Sequence, residues 1–155
     1  MGIHITLHSR QQFMLAIFHG SVNDHELDSF VDEMLLEQYN SDKSVRLTIL
    51  SKGVSGSQLS YHTIYAAGKR MRQGKFRQKY GKIAIIANSA VSFGLARMYQ
   101  LATVIAESSE VRVLHEDGFE SATEWLGISD LSEDIQKILD SVTQSEEKGL
   151  SVQVI

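Results

Sequence analysis

The chain has 155 residues, 43% apolar and 22% charged, with a formal net charge of −4. That length supports a core burying roughly 70% of the unfolded surface, and the composition is that of an ordinary globular domain, against disorder of the whole chain. The absence of cysteine excludes disulfides, a thiolate nucleophile and a cysteine-ligated zinc site, and without proline every turn depends on Gly, Asn, Asp and Ser.

No basic-then-apolar leader opens the chain, and no run of about 18 apolar residues interrupts it, so a cytoplasmic protein without a transmembrane segment is expected. Ile3–Leu7 and Phe13–Phe18, flanking the polar Ser9–Gln12, read as an antiparallel hairpin closed by Gly20. Asn23 with Glu26 forms a capping box, and Val22 with Leu27 occupies the positions of a hydrophobic staple. The helix that follows carries Leu27, Phe30, Val31 and Met34 at helical spacing, with Asp24, Asp28, Asp32 and Glu33 facing water.

Val45–Leu50 is the next strand, and a helix over about Gln58–Gln73 follows, with Ser57 as its cap and Gly74 as its stop. Lys82–Ala87 contains the continuous apolar run of a strand covered on both faces. Asn88 and Ser89 cap a third helix that reaches about Ala106, and Val111–Leu114 is the last expected strand. Asp117 and Glu120 suggest a capping box for a short helix stopped by Gly127. Strands alternating with helices imply an α/β fold with a mixed, largely parallel sheet of about five strands. Residues 1–127 form the expected domain. Residues 128–155 read as a helical appendage, with Leu131, Ile135, Ile138, Leu139 and Val142 amphipathic, and a tail.

Leu47–Val54, Lys82–Ser89, Phe93–Tyr99, and Val111–His115 with Glu120–Leu126 together resemble STAS/SEC14-like domains, the family of the anti-sigma-factor antagonists. The resemblance covers about residues 1–127 and implies the fold. Phospho-switched members carry an Asp-Ser-Ser/Thr-Gly element after the third strand. Here Ser51–Ser57 has no acidic residue, so the resemblance does not extend to that switch.

Gly53-Val54-Ser55-Gly56-Ser57 lacks the second glycine of a nucleophile elbow, and His115-Glu116 has no second histidine four residues on. The six histidines never pair at i, i+3 or i+4 within one helix, though His4 and His8 could share a strand face, and neither a Walker loop nor a dinucleotide fingerprint is present. No metal, no cofactor and no catalytic residue is therefore expected. Three other features stand out. Open α/β sheets bind ligands at strand carboxyl ends. Here those ends offer Ser51, Lys52, Asn88 and Ser89, with Arg97 two turns into the third helix and expected to be partly shielded from water. Lys69, Arg70, Arg72, Lys75, Arg77, Lys79 and Lys82 place seven of the fifteen basic residues in one acid-free segment. The third helix has one apolar stripe of Val91, Leu95, Met98, Ala102 and Ile105, and a second of Gly94, Leu101 and Val104. The second stripe points to a homodimer contact.

The reading that follows is a non-enzymatic regulatory or interaction module binding a protein or small ligand at the strand ends. The alternative is an anion-binding domain that meets nucleic acid or membrane phosphates through residues 69–82.

Overall fold

Alternating apolar residues at the start of the chain form β1 (Gly2–His8) and β2 (Phe13–His19), paired antiparallel from Gly2↔His19 to His8↔Phe13. The structure is a computed structural model describing residues 2–8, 10–34, 45–51, 54, 59–73, 81–104, 109–144 and 149–155. After the hairpin come α1 (Asp24–Met34), β3 (Val45–Leu50), α2 (Tyr61–Gln73), β4 (Gly81–Ala87) and α3 (Ala90–Val104). Then follow β5 (Ser109–His115), α4 (Phe119–Leu126), α5 (Ser132–Gln144) and β6 (Gly149–Val154). The six strands form one mixed sheet in the order β5-β4-β3-β2-β1-β6, every pair parallel except the hairpin.

Side-chain alternation along β2 divides the core. Met14, Ala16 and Phe18 face α1 and α2, while Phe13, Leu15 and Ile17 face α4 and α5. All seven residues of β2 are buried, as a strand covered on both sides requires. Asn23 Oδ1 accepts the Glu26 N–H at 2.8 Å, which is the Asn23 half of the expected box, and Val22 and Leu27 are both buried in one cluster; the Glu26 Oε2 has no hydrogen-bond partner among the described residues. Asn23→Ala should cost about 1 kcal/mol, read from the urea midpoint at unchanged slope.

Two caps differ from expectation. The second helix begins at Tyr61 and is capped by Ser60, whose Oγ accepts the Thr63 N–H at 3.1 Å. The Ser60 N–H and Oγ also donate to the Asp24 carboxylate, tying the start of α2 to the start of α1. The earlier candidate Ser57 lies outside the described residues. The fourth helix has Gly118 at its N-cap without a side-chain cap, because Glu116–Gly118 wind into a 3-10 turn leading into it. Gly127 stops α4 at φ +74°, its N–H bonding back to Glu124 O at 3.0 Å; that left-handed geometry disfavours any other residue.

The described part of residues 128–155, expected as an appendage to a 1–127 domain, is built into the same core and sheet. Ile128, Leu131, Ile135 and Val142 are buried in the cluster that holds Phe13, Leu15 and Ile17. β6 pairs with β1, making the sheet six strands wide. The amphipathic stripe on α5 needed a surface to cover, and the outer face of the hairpin supplies it.

His8 closes β1 in a dry place. It is buried, its ring lies 5.2 Å from that of Phe13, and Nε2 has no hydrogen-bond partner among the described residues. Burial lowers its pKa below the ordinary 6.5, with the Asp134 carboxylate opposing that shift. The folded state therefore binds this proton less readily than the unfolded chain. The stability from neutral His8 is complete above 6.5 and is lost as pH falls through the lowered folded value. Thermal midpoints measured from pH 7 downward should fall less steeply in His8→Phe than in the parent.

Candidate functional site

Two cavities lie on opposite faces of the sheet. On the α4–α5 face a cleft of about 340 Å³ sits at the carboxyl ends of β3 and β4, lined by Ser51, Asn88, Glu116, Phe119, Gln136 and Asp140 among others. Of the five residues expected at the strand ends, it brings together Ser51 and Asn88. Asn88 is also engaged in the fold, donating from Nδ2 to Leu50 O at 2.6 Å and so joining two strand ends. Ser89 turns away into the cap of α3. Its Oγ accepts the Ser92 N–H at 3.0 Å, and Ser92 Oγ accepts the Ser89 N–H at 3.1 Å. Lys52 lies outside the described residues. The cleft bears carboxylates from Glu116 and Asp140, with Gln136 Nε2 donating to Asp140 Oδ1 at 3.0 Å. Charge there suits a cationic or hydroxylated ligand and opposes the anion that strand ends commonly attract.

Arg97 is a correction. It is exposed, and Nη1 donates to Gln100 Oε1 at 2.6 Å; Gln100 Nε2 in turn donates to Val111 O at 2.7 Å. The phase of α3 explains this: Ser92 and Ala96 are buried and Tyr99 packs beside them, which turns Arg97 outward. The same phase leaves Val91 67% exposed, although it was expected on the inner stripe. Gly94 is exposed as well. The side chains of Leu101 and Val104, which carried the expected α3 dimer contact, lie outside the described residues.

The basic segment is not one surface among its described members. Arg70 reaches α1, pairing with Asp32 and lying 4.0 Å from Asp28. Lys82 lies on the other side of the sheet, donating to Trp125 O at 3.3 Å with Nζ 5.2 Å from the Trp125 ring, which Arg112 also covers at 4.3 Å. A strand and a helix adjacent in sequence thus direct their cations to opposite layers. Lys69 is exposed. Lys75, Arg77, Lys79 and the side chain of Arg72 lie outside the described residues.

The second cavity, of about 80 Å³, lies between the sheet and α1, α2 and α3. Its lining is almost wholly apolar, including Phe18, Phe30, Leu50, Ile85 and Leu95, and it reaches Val54 and Leu59 beyond the end of β3. Arg46 also lines it, only 5% exposed. Burial lowers the Arg46 pKa, opposed by its interaction with Tyr99; burial likewise raises the Tyr99 pKa, opposed by Arg46. Among the described residues no carboxylate pairs with this guanidinium. A guanidinium keeps its proton in a protein and brings five donors, so its burial is costly unless an anion or several acceptors meet it. Arg46 was not singled out in the sequence, yet a signal existed. In Val45-Arg46-Leu47-Thr48-Ile49 the polar residues alternate, although the strand is interior to the sheet. A polar face on a strand covered from both sides marks a site or an internal partner.

Among the described residues no group of three or more His, Asp or Glu could hold a metal ion, and no helix is long and apolar enough to cross a membrane. None of the family models, curated proteins or solved structures compared with the chain matches it.

Proposed function

We propose that the chain is a binding module for a small organic anion with an apolar body, held in the cavity against Arg46. The observation that carries this reading is the buried Arg46 in a lining that is almost wholly apolar. The anionic group would take the guanidinium's donors, with Tyr99 and Thr48 beside it. The apolar body would cover Phe30, Leu50 and Leu95, removing surface worth about 25 cal/mol per Å² from water. A ligand that fills this space supports α1, α2 and α3 together, so its arrival can be passed to a partner as a change in stability. Such a role needs no acid, base or nucleophile.

A second reading places the ligand in the strand-end cleft, where Ser51 and Asn88 meet. Its carboxylates favour an amine or a polyol there. Contact with nucleic acid or anionic lipid through the basic segment is the third reading, and it rests on Lys69 together with Lys75, Arg77 and Lys79. Calorimetric titration with benzoate and with carboxylates of increasing chain length separates the three. Binding that strengthens with apolar size and survives salt supports the Arg46 cavity. Binding of an amine probe instead points to the cleft. Binding only to nucleic acid or anionic vesicles, weakening steeply with salt, points to the basic segment.

A further inference from the structure

β6 ends the sheet on one side, and its composition differs from that of an ordinary edge. Exposed strand edges are normally blunted by charge, proline, bulges or brevity. β6 runs Gly149-Leu-Ser-Val-Gln-Val154 over six residues with no charge and no proline, in unbroken register with β1 from Gly2↔Gly149 to Leu7↔Val154. β5, at the other end of the sheet, carries Glu110, Arg112 and His115.

The Ile155 N–H donates to Leu7 O at 2.8 Å, towards β1. In a parallel ladder, residues two apart direct their N–H and C=O to the same side. Gln153 and Ser151 therefore face β1, while Leu150, Val152 and Val154 direct theirs to the open edge. Those same three residues share the α1 face of the sheet. Leu150 packs into the core there, but Val152 is 42% and Val154 66% exposed.

We infer that β6 pairs with β6 of a second copy of this chain, antiparallel about a two-fold axis at Val152. An antiparallel strand centred on Val152 sets Val152 against Val152, Leu150 against Val154, and Ser151 against Gln153. Apolar pairs then fall on the half-exposed face and polar pairs on the other. Val152 exchanges both of its outward backbone bonds with its own copy. Occupancy favours β6 over β5. On β5 the Val111 carbonyl already accepts from Gln100 Nε2 at 2.7 Å, so a helix side chain takes a backbone acceptor there, whereas no pair along β6 sets like charges together. The partner is a second copy because the strand is complementary to itself residue by residue, as a two-fold interface requires.

Sedimentation equilibrium of the full chain from low micromolar to near-millimolar concentration should show a species of twice 17.3 kDa. Val152→Lys places like charges across the axis and should raise the dimer dissociation constant by about tenfold or more. Val152→Pro removes only the outward N–H, sparing the bonds to β1, and should also yield monomer; circular dichroism confirms that each variant is folded. Hydrogen exchange should slow at the Leu150, Val152 and Val154 amides as concentration rises. A parent chain that stays monomeric throughout overturns the inference, as does a dimer that both folded variants leave intact.

Discussion

A chain cut after Gly127 should lose its cooperative unfolding transition. The cut removes Ile128, Leu131, Ile135 and Val142, all buried against Phe13, Leu15 and Ile17. At roughly 1.5–3 kcal/mol for each buried side chain, the four together contribute roughly 6–12 kcal/mol. That is comparable with the roughly 5–15 kcal/mol by which whole domains are stable. The cut also strips β6 from β1, opening a sheet edge beside the buried Ile3 and Ile5. The milder substitution Ile135→Ala, at a fully buried position on α5, should cost about 2–5 kcal/mol. Both are read from urea unfolding followed by near-ultraviolet circular dichroism. A truncated chain that unfolds cooperatively, with the aromatic signal of the parent, would restore the division into domain and appendage.

Arg46→Met should abolish the proposed carboxylate binding and leave the ligand-free fold as stable as the parent, or more so. Methionine keeps much of the side-chain length and is apolar, like the wall around it. Among the described residues no carboxylate pairs with Arg46, so an apolar replacement removes the cost of keeping that charge out of water without stranding a partner. The opposite sign, a loss of about 3–5 kcal/mol, marks a guanidinium whose internal carboxylate has been stranded. Denaturant midpoints of the two ligand-free proteins give the sign directly. Benzoate titration of the same samples gives the binding half. Arg97→Met serves as the control, since that side chain is exposed and lines neither cavity. If it weakens binding as strongly as Arg46→Met does, the Arg46 site is wrong.

The elements and their faces could be read from the chain because the signals behind them are local. Alternation at Ile3–Leu7 and Phe13–Phe18 gives the hairpin, Asn23 finds the backbone N–H three residues on, and Gly127 stops a helix through its own φ. Each of these depends on neighbours within a turn or a strand. Periodicity also says which side of an element is apolar, but not what will cover it. The stripe on α5 was visible in the sequence; that it closes the outer face of β2 was not. Arg70 and Lys82, twelve positions apart in one basic segment, part company because a helix and the following strand belong to different layers. Arg97 was placed by the sequence within an apolar helix, and the packing of Ser92, Ala96 and Tyr99 against the sheet turned it to solvent. Arg46 went the other way. Its alternation with Thr48 is written in the sequence, but only the packing of three helices over β3 encloses it, because burial depends on contacts between residues distant along the chain.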